Sequence, residues 1–245
     1  MNSNEIKLIM PMAGLGTRFS DRYAMPKPLV DAGGLPLFVR SVECIRVDFA
    51  QKIFLTAYQH ELAPKIREYY PDATVIEINT TTEGTACTLQ YAREYWQDGS
   101  SIFIANCDQA VNYDPEVFYN IRNANADGAI AVFECPERDP KWSYAECTDD
   151  MRVVRVAEKD PISEWATVGY YYYRDGRVFE SAVDKMIREN DRVNGEFYTC
   201  PAYNHTVNRD IRAWRVDRMQ GLGTPEDLDV FHSTQGQYEW PTTNF

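Results

Sequence analysis

No stretch of the chain approaches the ~20 consecutive apolar residues of a membrane-spanning helix. Residues 1–7 are polar, with no basic segment followed by an apolar one. A secretory leader is therefore not expected, and the cytoplasm is the expected location. The six cysteines, Cys44, Cys87, Cys107, Cys135, Cys147 and Cys200, form no C-x-x-C pair, and several lie in apolar runs. That argues against a disulfide framework or a zinc site and for reduced, mostly buried thiols. The three histidines, His60, His205 and His232, share no motif. Positive charge is scarce: 25 Lys and Arg face 37 Asp and Glu, for a formal net charge of −12. Duplex nucleic acid and anionic membrane surfaces are poor partners for such a chain. An anionic small substrate would need a local basic pocket or a bound cation to offset the global field. Internal repeats, linkers and low-complexity runs are absent.

What is present is ordinary globular composition, 44% apolar and 25% charged over 245 residues. A chain of this length buries a large core without a covalent or metal staple, and it reads as a single domain. Short apolar runs predict strands at residues 6–10, 53–57, 74–78, 101–105 and 129–133. Helices are expected between them. Leu35, Phe38, Val39, Val42 and Ile45 recur at helical spacing, and residues 61–70 carry Pro64 at a first turn. Gly84-Thr85 opens a helix with Ala86, Leu89, Ala92 and Trp96 inward. Asp114-Pro115-Glu116 supplies a cap, a first-turn proline and an acid at the positive dipole end. This alternation predicts an α/β fold with a parallel sheet and helices on both faces. Residues 152–156 and 167–173 look like antiparallel additions in the second half. There, Tyr170 to Tyr173 alternate between two faces, which suits core packing. Helices are expected at 178–188 and near 195–206, a late strand at 211–217, and a loosely held tail at 233–245.

In open α/β sheets, ligands bind at the carboxyl ends of the strands. The loop after the first strand lies there and is the most distinctive in the chain. A dinucleotide fingerprint needs a third glycine where Phe19 stands, and a Walker loop needs G-K-[S/T], which is missing. What remains is G-x-G-T-R, Gly14 to Arg18, followed by Pro26-Lys27-Pro28-Leu29. Glycines at 14 and 16 let backbone N–H groups approach phosphate oxygens. Arg18 and Lys27 bring cationic donors to the same anion. Over residues 11–30, Arg18, Arg22 and Lys27 oppose only Asp21, a basic island in an acidic chain.

Met12-Ala13-Gly14-Leu15-Gly16-Thr17-Arg18 with Pro26-Lys27-Pro28-Leu29 resembles the signature of the sugar-phosphate nucleotidylyltransferases, the nucleoside-diphosphate-sugar pyrophosphorylases. The resemblance runs in order over about residues 6–231. It implies a three-layer Rossmann-like nucleotidyltransferase fold, with a mostly parallel central sheet and an antiparallel addition in the second half. It also implies a nucleotide-binding half at 1–133 and an acceptor-binding half at 134–232. Ala13, Gly14, Leu15, Gly16 and Thr17 would meet the nucleotide, with Arg18 and Lys27 catalytic. Gly84-Thr85-Ala86 resembles the helix opening that meets base and ribose, and Asp108 ends the fourth strand where the family places a metal-binding Asp. Glu158-Lys159 resembles an element that meets the sugar phosphate, and Gly169 lies where a sugar-binding strand would run. Glu196 with Tyr203-Asn204 resembles the acceptor-side E…Y-N stretch. The segment Leu222-Gly223-Thr224-Pro225-Glu226-Asp227-Leu228 resembles the late G-T-P-E-D element.

The chain also departs from the family pattern. Gly221 stands where many relatives have a second metal-binding Asp, and Asp217 is the nearest substitute. Asn79 replaces a base-reading Gln; its amide still donates and accepts. The family's G-D motif becomes Asn106-Cys107-Asp108-Gln109. Several positions admit purely structural roles: Asp108 as a cap, Glu158-Lys159 as a solvated pair, Glu196 as a first-turn acid. Trp142 and Tyr144 suit either acceptor stacking or core packing.

The implied reaction is attack of an acceptor phosphate oxygen on the α-phosphorus of a nucleoside triphosphate, releasing pyrophosphate. The cofactor would be Mg²⁺ on Asp108 and Asp217, since hard oxygen ligands suit it. The product would be a nucleoside-diphosphate sugar for surface polysaccharide, such as capsule or lipopolysaccharide. The partners are a triphosphate and a phosphorylated small molecule, and a homo-oligomer is compatible with this. Three other readings stay open. They are a cytidylyltransferase for a phosphocholine-like acceptor, a glycosyltransferase consuming nucleotide sugars, and a non-catalytic nucleotide sensor.

Overall fold

The first strand, β1 (Ile6–Met12), is apolar on both faces and buried nearly throughout, as a central parallel strand must be. The protein was analysed as a computed structural model that describes residues 5–206 and 208–242. A short helix, α1 (Thr17–Ser20), follows the glycine loop, and α2 (Leu37–Glu43) leads to β2 (Gln51–Ala57). Next come α3 (Ala63–Tyr69), β3 (Thr74–Ile78), α4 (Thr85–Leu89) and β4 (Ser101–Ala105). Strands β3, β2, β1 and β4 pair in parallel in that order. The sequence expectation for this half is met, down to the capped helix α5 (Pro115–Asn123), where the Asp114 carboxylate accepts from Glu116 N–H at 3.0 Å.

Between β4 and α5 lies a strand with no clear local signal, β5 (Gln109–Asn112). It is followed after α5 by β6 (Gly128–Glu134), β7 (Ser143–Cys147), β8 (Val153–Glu158) and β9 (Trp165–Tyr173). Strand β9 inserts between β4 and β6 and runs antiparallel to both. The antiparallel addition is therefore central, not peripheral. The reason is its composition: all but its first residue are buried, so both faces must be covered. Tyr170 and Tyr172 pack into one core layer with Leu8, Met10 and Phe103. Tyr171 and Tyr173 pack into the other with Ile9, Ile104 and Phe179.

The remaining elements are α6 (Gly176–Arg188), β10 (Ile211–Arg215), β11 (Arg218–Gly221) and α7 (Pro225–Thr234). Strand β10 joins the sheet edge parallel to β6, while β11 pairs with β5 in a separate antiparallel ribbon. The helix expected near 195–206 reduces to a 3-10 turn over Cys200–His205, with Pro201 in its first turn. Ahead of it, Asn194 and Gly195 take φ of 50° and 83°, and Val193 and Glu196 exchange both backbone hydrogen bonds at 3.0 Å. This is a two-residue hairpin, and its Asn-Gly pair was the signal to read. The expected loose tail is held at residues 240 and 241: Trp240 packs on the core, and Arg40 Nη1 donates to Pro241 O at 3.3 Å. Residues 243–245 lie outside the described residues. All six cysteines are unpaired, and among the described residues no helix is long and apolar enough to cross a membrane.

Candidate functional site

A cleft of about 760 Å³ opens at the carboxyl ends of β1 and β4. The loop after β1 forms one wall, and the two prolines around Lys27 force a 3-10 turn that carries Lys27 back against it. A side chain at Gly16 would meet Lys27 Cβ at 3.1 Å, so that glycine makes room for the lysine. Around Gly14, by contrast, nothing lies within 4 Å of where a Cβ would stand, and its open side is free for a ligand.

Lys27 Nζ donates to Asp108 Oδ2 at 2.6 Å and to Gly223 O at 3.4 Å. Burial opposes its charge, but the Asp108 carboxylate, close and hydrogen-bonded, outweighs it, and the ammonium's pKa sits above its ordinary value. Arg18 lines the same cleft and is near enough to pull that pKa partly back. Arg22, the third member of the basic island, points away and makes two hydrogen bonds to Asp229 at 2.7 and 2.6 Å.

The β5–β11 ribbon builds the floor. It brings Gly221 opposite Gln109, and Leu222 N–H donates to Asp108 O at 2.8 Å. A Cβ on Gly223 would lie 3.5 Å from Asp108 Oδ2 and 3.8 Å from Asp227 Oδ2. Asp108 and Asp227 thus both face the space in front of Gly223. Asp227 also caps α7, through reciprocal bonds with Thr224 at 3.0 and 3.1 Å. Asp217 does not line the cleft. It sits at the other end of the ribbon, where its N–H donates to Asn112 O at 3.0 Å, and three steps of strand at ~3.4 Å each separate the two ends.

Ala13, Leu15, Thr17, Asn79, Gly84 and Thr85 also line the cleft. Gly84, at φ 125°, has a neighbour the sequence did not reveal: a Cβ there would stand 2.4 Å from Phe197 O. Phe197 N–H donates to Glu83 O at 2.8 Å and Ala86 N–H donates to Phe197 O at 2.9 Å. The hairpin carrying Glu196 is thereby clipped onto the start of α4. Gly169 likewise makes room for Asn106, whose Nδ2 would be 2.5 Å from a Cβ.

Glu158 and Glu196 line the same cleft. Burial raises the Glu158 pKa; the Ser143 hydroxyl, which donates to it, and Lys159 pull it back, and Glu196 pushes it up. Lys159 sits at the cleft's edge: its Nζ donates to the OH of cleft-lining Tyr198 at 2.7 Å and stands 4.6 Å over that ring. Two thiols line the cleft, but burial pushes Cys107 up to about 12 and Cys200 higher still, so neither is a thiolate near neutral pH.

The sequence profile described as Nucleotidyl transferase matches residues 7–229. The chain belongs to the nucleotidyl transferase family. A curated relative, the probable mannose-1-phosphate guanylyltransferase 1 of Oryza sativa subsp. japonica, is 25% identical over 166 residues, which is 64% of this chain and 46% of that protein. The mannose-1-phosphate guanyltransferase of Schizosaccharomyces pombe is 28% identical over 142 residues, 54% of this chain and 39% of that one. The chain spans less than half the length of these curated relatives. Among solved structures, the nucleoside-diphosphate-sugar pyrophosphorylase from Vibrio cholerae RC9 superimposes with a TM-score of 0.79 at 24% identity, covering 91% of this chain and 98% of that one. A putative glucose-1-phosphate thymidylyltransferase from Bacillus anthracis gives 0.77 at 15% identity, covering 98% and 97%. At such identities the likeness shows the shared fold.

In this member of the family, several cleft residues carried no sequence assignment: Gln59, Thr80 to Thr82, Lys141, Ser143 and Tyr198. Their shared signal is position after a strand or at a helix start, which singles out no one residue. The raised Glu158 carboxyl gives a pH test. The fold holds its proton more tightly than the unfolded chain does. Its ionisation therefore costs stability as pH rises above the ordinary 4.5. Glu158→Gln is expected to melt above the parent at pH 7–8, with the gap closing as the pH falls toward 4.5. Thermal melts across that range check it, and a gap that ignores pH would contradict it.

Proposed function

We propose that the chain transfers a nucleotidyl group from a nucleoside triphosphate to a sugar 1-phosphate or similar phosphorylated acceptor. One observation carries this reading: Arg18, Lys27 and Asp108 share a single cleft with Glu158 and Glu196. In the proposed step, an acceptor phosphate oxygen bonds to the α-phosphorus while the bond to the β-phosphate's bridging oxygen breaks and pyrophosphate departs. Two anions must meet, and unit like charges 4 Å apart repel by about 4 kcal/mol at an effective dielectric of 20. Such chemistry asks the protein chiefly for alignment and charge neutralisation. Lys27 would leave Asp108 for the α-phosphate and the incoming oxygen, and Arg18 would hold the outer phosphates. Residues 1–133 would take the nucleotide and residues 134–232 most of the acceptor, with Glu158 and Glu196 accepting hydrogen bonds from its hydroxyls.

Asp108 and Asp227 present hard oxygen donors to one place, a donor set that fits Mg²⁺, which takes one or two carboxylates plus phosphates. When bound, the ion would supply positive charge to the phosphates. Use of the product for surface polysaccharide synthesis rests on the family resemblance, and a cytoplasmic location on the polar character of residues 1–7. A second reading, a cytidylyltransferase for a phosphocholine-like acceptor, draws on the aromatic lining by Trp142, Tyr171 and Tyr198.

The test is pyrophosphate release with four triphosphates against sugar 1-phosphates and phosphocholine. Release with a sugar phosphate supports the first reading, and release with phosphocholine alone selects the second. Liberation of nucleoside diphosphate, or no product, rejects both. A further expectation follows from the open side of Gly14. Gly14→Ala should raise the triphosphate KM about tenfold without lowering the melting temperature, because the added methyl enters ligand space. An unchanged KM would remove Gly14 from phosphate contact.

A further inference from the structure

In the proposed reaction the acceptor's own phosphate needs a cation, and Lys159 stands at the cleft's edge next to Glu158. The backbone there is fixed. Lys159 takes φ of 56°, a conformation kept only where the surroundings over-determine it, and its N–H donates to Trp142 O at 3.1 Å. Earlier on the same strand, Val156 N–H donates to Asn204 Oδ1 at 2.9 Å, and Asn204 Nδ2 donates to Val156 O at 2.8 Å. This ties β8 to the segment that carries Tyr198. Tyr198 is fixed in turn, because its neighbour Phe197 is clipped by backbone hydrogen bonds to the start of α4. The flexible stem of Lys159 is what remains to be placed.

Tyr198 places it. Lys159 Nζ donates to Tyr198 OH at 2.7 Å and stands 4.6 Å over the ring. Both contacts are to a neutral group. Burial raises the phenol's pKa, Lys159 pulls it back and Glu196 pushes it up, so the hydroxyl keeps its proton near neutral pH. Among the described residues Lys159 makes no ion pair, whereas Lys27 is paired with Asp108. Two carboxylates are nevertheless at hand. Glu158 is the preceding residue and feels the Lys159 charge, and Glu196 stands close enough to act on the Tyr198 hydroxyl. An ammonium released from the phenol would turn to one of them, and an incoming phosphate would then have to break that pair. The phenol holds the ammonium through a hydrogen bond and a cation–π contact and leaves its charge unspent. A phosphate, which bonds an ammonium with charge on both sides, then takes it over.

We propose that Tyr198 is a positioning residue for Lys159, holding its ammonium clear of the neighbouring carboxylates for the acceptor's phosphate; the assignment rests on the nucleotidyl-transfer reading above. The test uses the full chain and the acceptor that the parent turns over. Tyr198→Phe, which removes only the hydroxyl, should raise the acceptor KM about fivefold while the triphosphate KM moves less than about twofold. Tyr198→Leu, which also removes the ring, should raise it about tenfold or more. Lys159→Met should cost about tenfold or more by itself, and adding Tyr198→Phe to it should change the acceptor KM less than about twofold, because the phenol acts through the ammonium. An unchanged acceptor KM in Tyr198→Phe or in Lys159→Met overturns the proposal. So does a Tyr198→Phe cost that persists undiminished in the Lys159→Met background, the mark of a phenol that touches the acceptor directly or serves only the fold. Calorimetric titration of glucose 1-phosphate distinguishes failure of this pairing from failure of the nucleotidyl-transfer reading. If the parent turns nothing over, weaker binding in Tyr198→Phe, with no further loss when it is added to Lys159→Met, keeps the pairing while the function falls. Equal binding in the parent and Tyr198→Phe, absence of binding included, overturns the pairing as well.

Discussion

Lys27→Ala is expected to lower pyrophosphate release by ~10²-fold or more, the effect of removing a donor aimed at transition-state charge. Its ammonium is placed by covalent geometry, through Pro26 and Pro28, and by a missing Cβ at Gly16. Its ion pair with Asp108 at 2.6 Å keeps it charged despite burial. The same pair means that the variant also frees Asp108 to draw its charge from elsewhere. Lys27→Arg would not restore activity fully, because a planar fork cannot occupy a slot shaped for a compact ammonium. Single-turnover measurements isolate the chemical step, and near-parental rates would take Lys27 out of the centre of the mechanism.

The second large effect is expected at Gly84. Glycine is required there twice over: φ of 125° is a conformation that side-chain-bearing residues avoid, and Phe197 O occupies the Cβ position at 2.4 Å. Strain of this kind costs of order 1–3 kcal/mol, and overpacking against backbone costs a similar amount. Gly84→Ala should therefore lose about 2 kcal/mol or more. In a domain of this size that is a drop of roughly 4–8 °C in melting temperature. The displaced element is the hairpin that carries Glu196, so the acceptor KM should rise along with the triphosphate KM. If only the triphosphate KM rose, with the melting temperature intact, Gly84 would be serving the nucleotide rather than the hairpin. Gly14→Ala is the matching contrast, since its added methyl meets no protein atom.

These glycines mark how far local pattern reaches. Gly14, Gly16, Gly84 and Gly169 look alike in a motif. Yet one faces open space, and the others make room for Lys27, Phe197 and Asn106. No spacing rule separates them, because the neighbour that needs the space comes from 11 to 113 positions away in the chain. The carboxylates tell the same story. The sequence pointed to Asp217 as the nearest substitute for the carboxylate missing at Gly221, but the ribbon of β5 and β11 holds Asp217 at its far end while Asp227 lines the cleft.

The amino-acid sequence by itself determined the alternating strands and helices of residues 6–133, the capped start of α5, and the phosphate-suited chemistry of the loop from Gly14 to Leu29. Each depends on apolar period, capping or residue type within a few positions, and so is written locally. Only the tertiary structure decided that β9 enters the middle of the sheet, and that Asp227 and Lys141 line the cleft with Asp108. Those outcomes rest on pairings between distant segments and on the direction each side chain then takes, which are settled by how the layers cover one another's apolar faces.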